Sequence, residues 1–238
     1  MTSDSASTQL PVGDRGGSPP PPFALKDCAV IAIASARQAN TLHELLDAIR
    51  VSPAESLYYH FWADLLQARF EEREYNNDFA SWVAHQLHEH RLAEQLAVID
   101  PTAFPGLEGL REVLLETIEG ALDESERLAW LRSERPFDFV RSQIVIFDTG
   151  WRVGDPAELA ALLPSLPVES IFYHFIDARR REPRGIDDFS HWLTGFGPVL
   201  TPLVEDLAGI DYYFGSLIEL RRRLVEAFAH HPMAVTGS

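Results

Sequence analysis

Two histidines and two aspartates recur in this chain at spacings that suit proton transfer or ligand binding. His60 lies in the run Tyr58-Tyr59-His60-Phe61 and is followed by Asp78. His174 lies in Phe172-Tyr173-His174-Phe175 and is followed by Asp188. An imidazole held by a carboxylate can act as a general base, or as a metal ligand through its other nitrogen. Nearer acids also lie within helical reach, Asp64 four residues after His60 and Asp177 three after His174. Tyr59 and Tyr173 flank the imidazoles and complete each set. The competing expectation is a structural lock. There each buried histidine fastens two helices together, and Asp78 and Asp188 serve as N-caps of the following helix. The lock is favoured, because metal sites cluster their ligands more tightly than this. The run His85-Gln86-Leu87-His88-Glu89-His90 puts two imidazoles on one helix face but supplies no third ligand, so it reads as a solvated face. No metal and no cofactor is expected.

A second candidate is cationic. Arg179, Arg180, Arg181 and Arg184 stand where the first half of the chain has Leu65-Leu66-Gln67. Guanidinium clusters suit phosphate or carboxylate through bidentate pairing, which makes these four a candidate anion site. The competing expectation pairs them with nearby acids such as Glu182, Asp187, Glu205 and Glu226. The chain has no P-loop, no Gly-rich dinucleotide turn, no Gly-x-Ser-x-Gly elbow and no Cys/His zinc spacing.

Composition narrows the partners. The 238 residues carry 36 acids and 20 bases, a net charge of −16. That field repels phosphate backbones, so nucleic acid is not the expected partner. With 46% apolar and 24% charged residues the chain has an ordinary globular composition. Its single cysteine, Cys28, cannot form an internal disulfide and fits a reducing cytoplasm. No apolar run approaches the roughly 20 residues of a membrane span, so no membrane is expected. A protein partner or a small anionic ligand remains, and the oligomeric state stays open.

The elements that must position these residues are written twice. Pro53–Phe61 (PAESLYYHF) and Pro167–Phe175 (PVESIFYHF) match at an offset of 114 residues. Asp78-Phe79-Ala80-Ser81-Trp82 and Asp188-Phe189-Ser190-His191-Trp192 match at 110, so the loop before them is four residues shorter in the second half. Blocks in one order at nearly one offset indicate a tandem duplication. Residues 23–123 form repeat one and 137–228 repeat two, with 124–136 as a helical connector. Residues 1–22, rich in Pro, Ser and Gly, read as a disordered tail, and 229–238 as a second tail. The Pro19–Pro22 run reads as a spacer rather than a polyproline ligand.

Each repeat opens with a β-prone run, Cys28–Ala34 or Ser142–Phe147. Asp148-Thr149-Gly150 then predicts a turn, with Trp151–Val153 returning as a hairpin. About five helices follow. Thr41-x-x-Glu44 and Asp155-Pro156-x-Glu158 mark the first starts, Pro53 and Pro167 the second, Asp78 and Asp188 the third. The expected fold is α+β and predominantly helical, a strand or hairpin followed by helices in each ~100-residue unit, arranged as a pseudo-two-fold body.

Tyr59-His60-Phe61 with Asn77-Asp78-Phe79 and Trp82, and again Tyr173-His174-Phe175 with Asp187-Asp188-Phe189 and Trp192, make the chain resemble an uncharacterised prokaryotic domain-of-unknown-function family. The resemblance spans roughly residues 23–228 and implies no known activity. Asp187 departs from it where the first half has Asn77. The sequence therefore reads as a non-catalytic intracellular binding, regulatory or scaffold protein. The alternative is an enzyme or a binder of an anion, sugar phosphate or metal, using the His/Asp sets and the arginine cluster.

Overall fold

The computed structural model describes residues 20–66, 74–104, 106–181 and 185–231, with the Asp64 side chain excepted. Two 17-residue strands, β1 (Phe23–Ala39) and β2 (Phe137–Val153), pair antiparallel as a two-stranded ribbon. After β1 come α1 (Leu42–Val51), α2 (Ala54–Trp62), α3 (Asp78–Gln86), α4 (His90–Ala97) and α5 (Leu107–Glu124). After β2 come α6 (Pro156–Leu162), α7 (Val168–Ile171), a π-helical turn at Phe172–Asp177, α8 (Ala178–Arg181), α9 (Asp188–Thr194), α10 (Thr201–Ala208) and α11 (Leu217–His230). The chain is mixed α+β and mostly helical. The connector holds a 3-10 turn at Glu126–Trp130.

The expected hairpin is not formed. β2 runs straight through Asp148-Thr149-Gly150 and pairs with β1 along its length. A return strand of three residues would leave most of the strand without a ladder, whereas a partner of equal length pairs its inward-facing groups from end to end. The turn-forming residues are absorbed as an irregularity: pairing steps from Lys26↔Asp148 to Ala24↔Arg152, with Gly150 at φ 78°. Thr149 Oγ1 donates to the Leu25 carbonyl there at 2.6 Å. At the other end pairing steps from Ala34↔Val140 to Gln38↔Asp138, and Ser35 Oγ donates to the Phe139 carbonyl at 2.6 Å. An offset of 114 residues carries each of these features onto the other. Phe23↔Val153 becomes Phe137↔Ala39, and the Val30↔Ile144 pair maps onto itself.

Each strand starts on the helices of the opposite half. The Phe23 ring lies 4.8 Å from that of His174, 5.5 Å from Phe189 and 5.4 Å from Trp192. Phe137 lies 4.7 Å from His60, 5.0 Å from Phe79 and 5.8 Å from Trp82. The two tryptophans anchor the approach: Trp82 Nε1 donates to the Arg135 carbonyl at 2.9 Å and Trp192 Nε1 to that of Pro21 at 3.0 Å. Residues 20–22 of the segment read as tail are thus packed on the helices of the second half. Pro20 sits so close to Gly195 that a Cβ there would meet it at 2.8 Å. Gly195→Ala should cost about 1–3 kcal/mol, the range for overpacking a close contact; thermal unfolding followed by tryptophan fluorescence reads this.

Helix starts follow local rules. Thr41 accepts from the Glu44 amide while Glu44 Oε2 accepts from that of Asn40. Asp155 and Glu158 do the same, Glu158 accepting from Gly154. Pro53 and Pro167 stand one residue earlier than expected, as N-caps.

Candidate functional site

His60 sits in α2 with only 3% of its side chain exposed, and Asp78 opens α3. His60 Nδ1 lies 2.8 Å from Asp78 Oδ2, and the Val140 amide of β2 donates to Nε2 at 3.2 Å. The second set repeats this. His174 Nδ1 lies 2.7 Å from Asp188 Oδ2, and the Lys26 amide of β1 donates to Nε2 at 2.9 Å. A backbone N–H can only donate, so Nε2 is unprotonated and the proton resides on Nδ1, where it is given to the carboxylate. Both nitrogens of both rings are used. Tyr59 and Tyr173 meet the rings edge-on at 5.3 and 4.9 Å.

The aspartates are not the N-caps. Asn77 Oδ1 accepts from the Ala80 amide and Asp187 Oδ1 from that of Ser190, which leaves Asp78 and Asp188 in the first helical turn, free to reach the imidazoles. Asn77 and Asp187 thus share one role despite their difference. Asn77 spends its amide on the Leu96 carbonyl, whereas Asp187 accepts from Arg179 instead. Asp177 does not serve His174. It is buried and accepts from Tyr58, Arg180 and Arg181, placed there by the π-helical turn. The two histidines grip ribbon positions eight residues apart, at Lys26 and opposite Ala34. That is roughly 27 Å, too far for a shared pocket.

The arginines are spent on the chain itself. Arg179 bonds Asp187 at 3.1 Å and lies 4.7 Å over both Phe175 and Tyr212. Arg180 bonds Asp177 at 2.9 Å over the Tyr58 ring. Arg181 bonds Asp177 at 2.9 Å and Asp188 at 3.0 Å over Tyr173. Arg184 lies outside the described residues. In the His85–His90 run, His85 pairs with Glu74 and His88 with Glu134 on the surface. Among the described residues no group of three His, Cys, Asp or Glu is arranged to hold a metal ion, and no helix is long and apolar enough to cross a membrane.

Burial pushes the His174 pKa below its ordinary value, overcoming the pull of Asp188. Burial acts on Asp188 in the opposite sense to its partners, but the bonds from His174 and Arg181 win and hold its carboxyl low. Burial raises Cys28 to about 12, with Asp27 adding to the effect, so the thiol is inert. The His174 shift has a sign. Its folded pKa lies below the unfolded 6.5, so its stabilisation is complete above pH 6.5 and is lost as the pH falls toward the folded value. Melting temperature should decline on acidification from pH 6.5 while the Asp188–Arg181 pair is still ionised. His174→Gln should flatten that decline, and a parent profile flat between pH 7 and 5 would contradict it.

A family of unknown function, DUF5752, matches residues 20–229. The solved structure of OrfY from Thermoproteus tenax is similar, with a TM-score of 0.74 and 27% identity over 88% of this chain and 95% of that one. No curated protein matches. The sequence singled out the imidazoles and their aspartates but not the Lys26 and Val140 amides, because any residue carries a backbone N–H.

Proposed function

The chain belongs to the family of unknown function DUF5752, and from its own geometry we propose that it is a non-catalytic binding or scaffold protein. One observation carries this reading: all four ring nitrogens of His60 and His174 are engaged by carboxylates and by backbone amides of the opposite strand. Neither ring has a lone pair left for proton transfer or a metal. Each imidazole acts as a clasp that fastens a strand onto helices of the other half.

In this reading the chain is a tandem duplication about a pseudo-two-fold axis through the Val30↔Ile144 pair. Support comes from the strand register, closed under the 114-residue offset, and from the two equivalent clasps. The halves then resemble a fused dimer that has exchanged its first strands. A small-anion site at Arg179–Arg181 has less support, because Asp177, Asp187 and Asp188 already occupy those guanidinium groups.

Metal analysis of the purified protein and a thermal-shift screen with divalent metals and sugar phosphates test the reading. No stoichiometric metal and no shift are expected. A ligand-induced shift that disappears in His60→Ala or Arg181→Gln would overturn it.

A further inference from the structure

The ribbon has two outer edges. Lys26 and Val140 turn their amides away from the ladder, toward the imidazoles. In a regular antiparallel pair alternate residues do the same, so Val30, Ala32, Ile144 and Ile146 also point their N–H and C=O groups outward. Among the described residues these groups have no hydrogen-bond partner. On the β1 side the outward edge faces a cleft of about 480 Å³, walled by Tyr59, Ala63 and Leu66 on one face of the helical segment that begins with α2. Val30, Ala32 and the half-exposed Phe147 line its ribbon side. Asp27 and Glu169 stand at the Cys28 end, where Cys28 Sγ donates to the Glu169 carbonyl at 3.4 Å.

The corresponding place on the β2 side is different. At the 114-residue offset Asp177 and Arg180 replace Ala63 and Leu66, and they bond each other and Tyr58. Among the described residues the open groove therefore belongs to the β1 edge.

We infer that this groove takes an extended peptide as a third strand, with apolar side chains on α2 and a Lys, Arg or N-terminal ammonium against Asp27 and Glu169. An unpaired strand edge beside a helix face supplies main-chain bonds for affinity and alternate side-chain pockets for selectivity. The two carboxylates select a cationic end, and the chain's charge of −16 draws basic segments toward it. The inference rests on the binding-protein reading and names its partner.

Selection of a random heptapeptide library on the immobilised full-length protein tests it. Enriched peptides should alternate apolar residues and end in a base, and their binding should shift the Val30 and Ala32 amide resonances. Leu66→Arg, which copies Arg180, should abolish binding. Ala32→Pro should do so too while leaving the ladder intact, since it removes only an outward N–H. Asp27→Asn with Glu169→Gln should weaken binding about tenfold and reduce its salt dependence. No enrichment, enriched peptides without a base, or undiminished binding to the two blocking variants would overturn it. So would a homodimer abolished by Leu66→Arg, because a second copy would then be the occupant. The metal and thermal-shift screen reads neither edge nor groove, so the two readings fail separately.

Discussion

His174→Ala is expected to lower stability by about 3–5 kcal/mol, the range for truncating a large ring in a packed core, with two hydrogen bonds of the neutral imidazole lost as well. The ring is almost fully buried and holds two bonds. Truncation strands the Lys26 amide and withdraws one donor from Asp188, while leaving a hole beside Phe23 and Phe189. At 2–4 °C per kcal/mol for a chain of this size the melting temperature should fall by on the order of 10 °C. His60→Ala should cost less, because Asp78 is 32% exposed against 15% for Asp188, so water can replace the lost donor more easily. Denaturant unfolding decides it. A His174→Ala loss below about 1 kcal/mol, the worth of an ordinary hydrogen bond, would show that the clasp does not hold the strand.

Phe137→Ala should cost about 3–5 kcal/mol as a large-to-small change in a packed core. Phe137 is where β2 enters the helices of the first half, in contact with His60, Phe79, Trp82 and Phe139. Because each strand is seated on the other half, neither half has a complete core of its own. Calorimetry should therefore show one cooperative transition that moves as a whole. Two transitions, with only one displaced by Phe137→Ala, would mean that the halves fold independently despite the seating of β2 on residues of the first half.

Much of the helical framework was legible locally. Thr41-x-x-Glu44 and Asp155-Pro156-x-Glu158 became reciprocal caps, in which the N-cap oxygen takes the acid's amide and the acid accepts from the amide one residue before the N-cap, since these bonds span three or four residues. The inward stripe of α5, Leu110, Leu114 and Ile118, is buried as its spacing requires. The third helices were displaced by one residue, because Asn77 and Asp187 cap as well as an aspartate does and so release the next carboxylate. The Asp148-Thr149-Gly150 signal was real but local. It makes a bulge rather than a turn, because a distant strand of equal length competed for the same backbone.

Residue types and spacing alone established the repeated imidazole–aspartate motif, the net negative charge and the mostly helical composition. Tertiary structure decided which amide each imidazole accepts from, and that Arg179, Arg180 and Arg181 serve Asp177, Asp187 and Asp188. The reason is physical: side-chain identity is written in the chain, whereas backbone partners are the same chemical group everywhere. Only long-range pairing chooses among them.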